Sequence, residues 1–513
     1  MGFFKAYDMR GTFGKDFDLP LVRRIGEALP KVVGGGRWLV GRDCRTTSKP
    51  IRDALVEGLS DAGVEITDIG LCTTPMVYYH TATGGFDGSV MVTASHNPPS
   101  DNGLKVSKKT ALPVGYANGL NQVERLATAG TLPSKLGTVP SENTGTLPPN
   151  LGAVPSENMG TLPPNLGTVP TEPKSKYIEK YIDFVRSATI APNATLHYAV
   201  DCSNGMASLV AKELFPGAAI LNGERDGRFP AHSPNPLNPS AREEMAEYVR
   251  KNNLDCGIIF DGDADRAAFI DETGTFVQPD YLIPLVAAAT LKRRTRDGLN
   301  IGSVPTSGGS VPTSGGSVPS SGGSVPTAGR PIVIHDVRTS RGTIEAIREM
   351  GCEPVMVPVG HAFAKPAMRK FSAICGGELA GHYYFGDFFG CDSGVLAALR
   401  ILEEIAEAKA SGETFSAKVR KISGRYANSG EINFKVEDKD AATARMIDCA
   451  VKNFGEPTSR IEIDGVRLEW REGWINVRKS NTEPYLRLVA ECDTGERLAD
   501  WLGLLPGAAS EAS

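Results

Sequence analysis

Short apolar runs alternate with segments of helical periodicity over the first 129 residues. Residues 38–40 and 64–69 are each predicted to be a short strand. Apolar positions recur with helical spacing over 19–33, and Ser48 is predicted to cap a second helix over 51–59. This alternation predicts a mainly parallel sheet with helices on its faces.

The same alternation returns twice further along the chain. One group follows residue 174 and another follows residue 330, with predicted strands at 196–200, 256–260, 331–335 and 354–357. Ser240 and Glu243 match a capping box, which predicts a helix start before the strand at 256–260. Beyond residue 416 strands predominate, and they are predicted at 431–436, 467–469, 475–478 and 485–490.

These patterns predict an α/β fold class, with three similar mixed α/β domains plus a smaller C-terminal α+β domain around a central cleft. The predicted domains cover residues 1–129, 174–300, 330–415 and 416–513. The length of 513 residues agrees with several domains rather than one.

Two low-complexity segments separate these domains. Residues 130–173 repeat Gly-Thr-Leu-Pro with a period of 15, and residues 301–329 repeat Gly-Ser-Val-Pro with a period of 7. A period of 7 matches the heptad of a coiled coil, but a proline in every unit excludes a helix. Both segments offer too little apolar surface to offset the entropy of ordering, so both are predicted to be disordered.

Composition and charge exclude several classes of protein. With 41% hydrophobic and 22% charged residues, the chain has an ordinary globular composition. A net charge of −5 argues against nucleic-acid binding, which needs a basic face. No apolar stretch reaches the roughly 20 residues that a membrane-spanning helix needs, and the opening residues do not show the charged and then apolar pattern typical of a secretory signal. Nine scattered cysteines without a CxxC pair predict reduced thiols in a cytoplasmic protein.

A candidate nucleophile follows the buried apolar run at 90–92. Ser95 stands in a loop that Pro98 and Pro99 shape. His96 beside it and Lys105 ten residues on supply a base and a cation close in sequence. Most loop serines only cap helices or form turns, so Ser95 gains weight only from the chemistry that the other domains supply.

Three aspartates follow the apolar strand predicted at 256–260. Asp261, Asp263 and Asp265 alternate, which puts their carboxylates on one side of an extended backbone. Carboxylates so close repel one another unless a cation lies among them, and oxygen ligands suit Mg²⁺. A calcium-binding EF-hand loop does not fit, because Arg266 stands where that loop requires glycine. A solvated acidic turn is the remaining alternative.

Two later loops carry polar groups that suit a phosphorylated sugar. One combines a guanidinium with hydroxyls and an amide, as phosphate sites do. Its residues are Arg478, Ser480, Asn481 and Thr482. The other carries Glu378 and His382, which could grip sugar hydroxyls. A polar hairpin turn is the alternative for the first loop.

His361 and Lys365 share one helix face, where they would add positive charge to a cleft. Arg10, taken alone, does not indicate a function. A serine, a metal loop, a hydroxyl-gripping loop and a phosphate loop fall in four successive domains. One site between these domains would explain them all, as expected for phosphoryl transfer by positioning and electrostatics.

Four short motifs occur in a fixed order along the chain. They are Thr-Ala-Ser-His-Asn-Pro-Pro at 93–99, Asp-Gly-Asp-Ala-Asp-Arg at 261–266, Gly-Glu-Leu-Ala-Gly-His at 377–382 and Arg-Lys-Ser-Asn-Thr-Glu-Pro at 478–484. In these motifs, and in the opening Tyr-Asp-Met-Arg-Gly at 7–11, the chain resembles the α-D-phosphohexomutase superfamily, and within it the phosphomannomutase/phosphoglucomutase family. The resemblance covers the whole chain except the two repeat segments.

The resemblance implies an intramolecular phosphotransferase acting on hexose 1- and 6-phosphates, with mannose as the sugar and glucose as a second one. Ser95 would be a phosphoserine that donates its phosphoryl group to the sugar and recovers the other phosphate from the bisphosphorylated intermediate. Mg²⁺ would be held by Asp261, Asp263, Asp265 and a phosphate oxygen on Ser95. Hexose 1,6-bisphosphate would act as an activator.

The resemblance also assigns roles to individual residues. Lys105 matches the general base, Arg10 lies near the phosphoserine, and His96 stands with them among the catalytic residues. The implied substrate-binding residues are Arg266, His361, Lys365, Glu378, Ala380, His382, Arg478, Ser480, Asn481 and Thr482. Ala380 departs from the family pattern, which has serine there, and removes one hydrogen bond to the sugar.

Two other functions stay open at this stage. Phosphoglucosamine mutase belongs to the same class and differs in the sugar. An inactive sugar-phosphate-binding scaffold belongs to another class, although such a protein has no need of Ser95 or Lys105. The expected state is a cytoplasmic monomer or weak dimer that binds a phosphorylated hexose and neither nucleic acid nor membrane.

Overall fold

The computed structural model describes residues 2–129, 174–190, 194–298, 329–480 and 485–509. Both repeat segments predicted to be disordered, at 130–173 and 301–329, lie outside these residues apart from Gly329. Asn481 and Thr482 of the predicted phosphate loop also lie outside them.

Domain I is a sheet with helices on both faces. Its elements are β1 (Met9–Thr12), α1 (Leu19–Val33), β2 (Arg37–Arg42), α2 (Ser48–Asp61), β3 (Glu65–Leu71), α3 (Thr74–Thr83), β4 (Gly88–Val92), β5 (Asp101–Lys108), β6 (Leu112–Pro113) and α4 (Leu120–Thr128). The strand order is β1-β5-β4-β2-β3, with β6 paired to β5. Strands β3, β2 and β4 are parallel, while β5 runs antiparallel to β4.

Domain II begins with a helix that packs against domain I, where Phe184 stacks on Tyr79 with ring centroids 4.8 Å apart. Its elements are α5 (Lys174–Ser187), β7 (Tyr198–Asp201), α6 (Ala211–Leu214), β8 (Ala219–Leu221), α7 (Pro239–Asn252), β9 (Cys256–Phe260), β10 (Ala267–Asp271), β11 (Phe276–Val277) and α8 (Ile283–Arg296). The strand order is β11-β10-β9-β7-β8.

Domain III repeats the arrangement. Its elements are β12 (Ile332–Asp336), α9 (Arg341–Glu349), β13 (Glu353–Val357), α10 (His361–Lys370), β14 (Cys375–Gly377), β15 (Tyr383–Phe385), β16 (Cys391–Asp392), α11 (Gly394–Ala410) and α12 (Phe415–Ser423). The strand order is β13-β12-β14-β15-β16. Helix α12 packs against α9 and α11.

The three domains share one topology. In each, two parallel crossovers lead to a central strand (β4, β9 or β14), which turns back into an antiparallel neighbour (β5, β10 or β15). The predicted serine, metal and sugar motifs each lie at this same turn. Loops at the carboxyl ends of parallel strands are the usual ligand sites of α/β sheets. The prediction of three similar α/β domains is confirmed.

Domain IV is a separate antiparallel sheet covered by two helices. Its elements are β17 (Ala427–Lys435), α13 (Lys439–Phe454), β18 (Ser459–Ile461), β19 (Val466–Glu469), β20 (Gly473–Lys479), β21 (Tyr485–Cys492) and α14 (Gly495–Ala509). The strand order is β17-β21-β20-β19-β18, and every pair is antiparallel. The predicted C-terminal α+β domain is confirmed, and its phosphate motif follows β20.

The hydrophobic core is continuous across the first three domains. Leu39 and Met91 from domain I, Phe260 from domain II and Val333 from domain III belong to one buried cluster. The opposite face of the domain I sheet has its own core, which α1, α2 and α4 cover. Domain IV has a separate core. Shared packing of this kind fixes the loops of domains I to III relative to one another.

Two predicted helix caps are wrong. Thr47 precedes α2, and the Ser48 hydroxyl instead donates to the Asp43 carboxylate. Helix α7 starts earlier than predicted, because Asn238 Oδ1 accepts the Ser240 N–H at 3.1 Å and caps it. In both places a neighbouring side chain competes for the serine, which the sequence pattern does not reveal.

All nine cysteines lie among the described residues and are free thiols, as predicted. Seven are buried, and burial raises the pKa of the Cys202 thiol, for example, to about 12. None of the described helices is both long and apolar enough to cross a membrane.

We expect Gly58→Ala to destabilise domain I. Gly58 on α2 faces the α1 backbone so closely that a Cβ there would overlap the Arg23 carbonyl oxygen. Overpacking of this kind costs about 1–3 kcal/mol. Gly36→Ala is the matched control, because Gly36 is exposed in the same domain and a Cβ there would have no other atom within 4 Å. Calorimetry should show a lower first unfolding transition for Gly58→Ala only, and equal transitions would contradict the close approach.

Candidate active site

Ser95 lies in the turn between β4 and β5 and faces the aspartate loop of domain II. Its hydroxyl is buried and donates to Asp261 Oδ2 at 2.8 Å. Its backbone is left-handed, with φ 52°, and its N–H donates to Thr93 Oγ1 at 2.9 Å. A Cβ on Gly262 would lie 2.6 Å from the Ser95 carbonyl oxygen, so the two loops are in close backbone contact.

The three aspartates converge in the turn between β9 and β10. Asp261, Asp263 and Asp265 are all buried, and one carboxylate oxygen from each lies within 4.8 Å of the others. Lys105 on β5 joins two of them, with Nζ 2.7 Å from Asp263 Oδ2 and 2.5 Å from Asp265 Oδ2. Arg266 Nε contacts Asp261 Oδ2 at 3.0 Å.

The electrostatics of this cluster favour an additional cation. Burial, together with the charges of Asp265 and Asp263, raises the pKa of Asp261 to about 7. Burial would lower the pKa of Lys105, but Asp263 and Asp265 outweigh it and raise that pKa well above its usual value. Among the described atoms, Oδ1 of Asp263 and Oδ1 of Asp265 are buried without a hydrogen-bond partner. Unpaired carboxylate oxygens so arranged fit a hard divalent cation.

His96 and Arg10 flank the serine. His96 Nδ1 lies 3.3 Å from Ser95 Oγ. Burial and the nearby charge of Arg266 hold the pKa of His96 well below its usual value, so the ring is neutral at pH 7. Arg10 donates to Asn97 Oδ1 at 2.9 Å and to Asp8 Oδ2 at 2.6 Å. Burial opposes the charge of Arg10, but Asp8 outweighs it and raises the pKa of the guanidinium.

The loop that carries Glu378 and His382 joins β14 to β15 and adjoins the metal loop. The Gly381 carbonyl accepts the Ala267 N–H at 3.2 Å. Glu378 is buried, and its carboxylate accepts the Tyr384 O–H and, at 2.9 Å, the Gly360 N–H. Burial raises the pKa of Glu378. Ala380 in the same loop is half-buried.

Asp392 connects two of the predicted substrate-binding residues. Its Oδ2 lies 2.7 Å from His382 Nδ1, and its Oδ1 lies 2.8 Å from Lys365 Nζ. Burial would lower the pKa of His382, but Asp265 and Asp392 outweigh it and raise that pKa. The Lys365 ammonium also lies 3.5 Å from the centre of the Tyr78 ring in domain I. The charge of Lys365 is therefore already paired.

His361 begins α10 beside His382, with ring centroids 6.4 Å apart. Burial and the charge of Lys365 lower the pKa of His361 to about 3. The expectation that His361 adds positive charge to the cleft is therefore wrong, because the buried ring stays neutral. Among the described atoms, its Nδ1 is buried without a hydrogen-bond partner and is available to a ligand.

Arg478 and Ser480 lie at the end of β20, in a cluster of guanidinium groups. Arg478 lies 3.6 Å from Glu431 Oε2 and 3.8 Å from Asp464 Oδ2. Arg338 and Arg487 contact the same glutamate, and Arg338 also pairs with Asp336, so three guanidinium groups face three carboxylates there. Burial, with the charge of Arg338 nearby, lowers the pKa of Arg478. Ser480 is buried beside this cluster.

Domain IV packs against the loops of domain III. Leu379 of the sugar loop packs into domain IV against Trp474 and Val489. The Val359 N–H just before α10 donates to Asp464 Oδ2 at 3.1 Å. In the described part of the chain, the ion pairs of Arg478 are with domain IV carboxylates and none is with the aspartate cluster.

Comparison with known proteins agrees with this architecture. Models of the four phosphoglucomutase/phosphomannomutase domains match in order, with alpha/beta/alpha domains I, II and III at 1–132, 175–274 and 324–423 and the C-terminal domain at 431–503. The chain belongs to this family. The family resemblance predicted from four motifs is thereby confirmed.

Relatives in the phosphoglucomutase/phosphomannomutase family match along nearly the whole chain. A protein named phosphohexose mutases from Xanthomonas campestris pv. campestris is 33% identical over 493 residues, which is 95% of this chain and 94% of the relative. A phosphomannomutase of Escherichia coli strain K12 is 32% identical, with the same coverage. A solved structure of a family protein from Burkholderia thailandensis is 25% identical, has a TM-score of 0.75 and covers 100% of this chain and 98% of its own.

Several residues that contact the predicted site residues were not predicted from the sequence. Asp392 ends the two-residue strand β16, Thr74 donates to Asp263 from the start of α3, and Arg338 and Glu431 meet from different domains. None of them lies in a conspicuous motif. Asp392 alone among them has a local signal of a functional position, because it stands two residues before the helix that begins at Gly394.

Proposed function

We propose that this chain is a phosphohexose mutase that interconverts hexose 1- and 6-phosphates, with mannose as the sugar and glucose as a second one. The observation that carries the proposal is the buried Ser95 hydroxyl, 2.8 Å from Asp261 in a cluster of three aspartates. A serine beside a divalent-cation site is suited to carrying a phosphoryl group rather than an acyl group. Membership of the family supports the same reaction.

In the proposed cycle Ser95 carries the phosphoryl group. A free hydroxyl of the sugar phosphate attacks phosphorus, its O–P bond forms, and the bond from phosphorus to Ser95 Oγ breaks. The hydroxyl loses its proton to a base. After the bisphosphorylated sugar turns, the reverse transfer moves its other phosphate to Ser95 and leaves the isomer.

Asp261, Asp263 and Asp265 would hold Mg²⁺ together with a phosphate oxygen on Ser95. The ion would neutralise charge that develops on the transferring group. Lys105 is assigned as the base. As arranged, its ammonium is bonded to Asp263 and Asp265, so it must release a proton before it can accept one. Arg10 and the neutral His96 stand beside the serine, where they would contact the phosphoryl group.

The substrate would lie in the central cleft, between Ser95 of domain I and the loops of domains III and IV. Glu378 and His382 would hold sugar hydroxyls, with the alanine at 380 supplying no hydroxyl to them. The remaining predicted binding residues are Arg266, His361 and Lys365 on the sugar side and Arg478, Ser480, Asn481 and Thr482 on the phosphate side. Three guanidinium groups lie around Glu431, and Nε of Arg478 is buried without a hydrogen-bond partner among the described atoms, which supports a phosphate there.

The proposal is tested by turnover of three sugar phosphates. Mannose 1-phosphate, glucose 1-phosphate and glucosamine 1-phosphate are each supplied with Mg²⁺ and a catalytic amount of the matching 1,6-bisphosphate. Formation of the 6-phosphate is followed by a coupled assay, and peptide mass spectrometry locates phosphate on the purified protein. We expect turnover of the mannose and glucose substrates and phosphate on Ser95.

Each other outcome selects another function. Turnover of the glucosamine substrate alone would make the chain a phosphoglucosamine mutase. Binding of all three substrates without turnover, and no phosphate on Ser95, would make it an inactive sugar-phosphate-binding scaffold. We further propose a cytoplasmic enzyme, monomeric or weakly dimeric, activated by hexose 1,6-bisphosphate and without nucleic-acid or membrane partners.

A further inference from the structure

Arg45, in the loop that follows β2, is buried beneath the serine loop. None of the steps proposed above uses its side chain, which makes no contact with the aspartate cluster. Only 1% of the residue is exposed. Its two terminal nitrogens donate to carbonyl oxygens of one loop only. These are Ser95 at 2.9 Å and Asn97 at 2.7 Å from one nitrogen, and Pro98 at 2.6 Å and Asp101 at 3.0 Å from the other.

The serine loop needs such a partner because its backbone curls inward. Ser95 has a left-handed backbone, a conformation that costs free energy in any residue other than glycine. The curl turns several buried carbonyl groups toward one point, where each needs a donor. A planar guanidinium supplies paired donors at fixed angles, whereas the ammonium of a lysine is a single point charge with fewer donors. Arg45 is therefore the central support of this loop.

Domain I fixes Arg45 from the other side. Asp43 Oδ1 accepts the Arg45 N–H at 3.0 Å, and Asp43 Oδ2 lies 3.2 Å from Nε. The Ser48 hydroxyl donates to the same carboxylate. The guanidinium thus makes an ion pair with Asp43 through Nε while its terminal nitrogens bond to the serine loop, so it links that loop to the end of β2.

Domain II encloses Arg45 as well. The Phe229 ring lies 4.8 Å from the guanidinium carbon, a cation–π contact across the domain boundary. Gly227 lies against the Arg45 backbone so closely that a Cβ there would overlap it. On its far side, the serine loop meets Gly262 of the aspartate loop. The serine loop thus has the aspartate loop of domain II on one side and Arg45, packed against the segment that carries Gly227 and Phe229, on the other.

We propose that Arg45 is a positioning residue for phosphoryl transfer, which sets the Ser95 oxygen against the aspartate loop of domain II. The inference rests on the proposed function. It places Arg45 in the transfer step and not in sugar binding, because the sugar loop and the phosphate loop belong to domains III and IV. Substitution should slow transfer and leave the apparent affinity for the hexose phosphate unchanged.

The chain supplies a matched control in Arg467 on β19. It is also fully buried, pairs with Glu469 at 2.7 Å and stacks over Trp474 at 3.7 Å. It donates to the carbonyl oxygens of Val337 at 2.6 Å and Thr339 at 3.2 Å. Arg467 thus does for a loop of domain III what Arg45 does for the serine loop, far from Ser95.

The experiment compares Arg45→Lys with Arg467→Lys in the full chain. Phosphorylated protein is mixed with excess glucose 6-phosphate, and loss of phosphate from Ser95 is followed in a rapid-quench single turnover over a range of sugar concentrations. For Arg45→Lys we expect the saturating rate to fall about 100-fold, since misplacement by about 1 Å costs that much. The concentration giving half the maximal rate should stay within about threefold of wild type.

For Arg467→Lys we expect the opposite pattern, with a nearly normal saturating rate and a higher half-saturating concentration. Phe229→Leu provides a second variant that keeps every hydrogen bond of Arg45 and removes only the ring. It should slow transfer by a smaller factor. Circular dichroism of each variant at the assay temperature confirms that folded protein is compared. Added methylguanidinium should restore part of the transfer rate to Arg45→Gly and none to Arg467→Gly.

Normal saturating transfer by Arg45→Lys and Phe229→Leu would overturn the inference and leave the proposed function intact. An equal loss of transfer in Arg467→Lys would mean that Arg45 affects transfer only through the general stability of the protein. If wild-type protein holds no phosphate on Ser95 and transfers none to any hexose phosphate, the proposed function fails, and the inference fails with it.

Discussion

We expect Ser95→Ala to abolish turnover and to leave the purified protein without phosphate. The serine hydroxyl bonds directly to Asp261, and no other hydroxyl of the described residues is bonded to that carboxylate. Removal of a nucleophile costs about 10⁴-fold or more in related measurements. We expect a loss of at least that size in the coupled assay for mannose 1-phosphate and glucose 1-phosphate.

The size of this effect has a structural reason. Alanine differs from serine only by the loss of the hydroxyl, so it adds no atom to the close contact between this loop and Gly262. The loss should therefore appear in the maximal rate and not in folding. Mass spectrometry of the loop peptide should show phosphate in the wild-type protein and none in the variant.

Ser100→Ala is the control for Ser95→Ala. Ser100 lies in the same loop and is exposed, and its hydroxyl makes one long contact, 3.4 Å from Asp101 Oδ1. Its turnover and its phosphate content should match wild type. If Ser95→Ala keeps most of the activity, or if phosphate is found on another residue, the phosphoserine mechanism is wrong.

Asp263→Asn is expected to weaken metal binding at least about 100-fold, more than the loss of an outer-sphere partner usually costs. Asp263 supplies a buried oxygen without a hydrogen-bond partner among the described atoms, and its other oxygen accepts from Lys105 and Thr74. Burial and the charge of Asp265 would raise the pKa of Asp263, yet the charge and hydrogen bond of Lys105 lower it, so the group is a carboxylate at pH 7. Asparagine keeps the shape but removes that charge.

Metal affinity is measured directly by calorimetric titration of the protein with Mg²⁺ and Mn²⁺, and activity is measured after chelation and re-addition of Mg²⁺. Chelation should abolish wild-type turnover, and added Mg²⁺ should restore it. Asp271→Asn is the control, because Asp271 is a similarly buried carboxylate on β10 whose Oδ1 accepts from Thr273 and Thr275 in a turn. Unchanged affinity in Asp263→Asn, or an equal loss in Asp271→Asn, would contradict a metal site on the three aspartates.

Local sequence pattern predicted most of the secondary structure. The helix expected over 19–33 and the strand expected over 256–260 are found with those bounds, as α1 and β9. Short strands such as β16 and β18 were missed, because two or three residues carry no periodicity. The caps expected at Ser48 and Ser240 failed where a nearby Asp or Asn side chain competes for the same groups.

The domain types and the chemical groups of the site follow from the amino-acid sequence alone. Alternating strand and helix patterns require sheets covered by helices, and the motif residues supply a hydroxyl, three carboxylates and guanidinium groups wherever they lie in space. Family membership could also be recognised from these motifs, because each motif is a run of consecutive residues.

Tertiary structure decided which groups meet. Ser95 and Asp261 are 166 residues apart, and Lys105 and Asp265 are 160 apart. The pairing of Lys105, the neutrality of His361 and the contacts of Asp392 and Arg45 all depend on burial and on partners from other elements. Charge states and positions of this kind follow from the dielectric surroundings and from long-range packing, which no local pattern encodes.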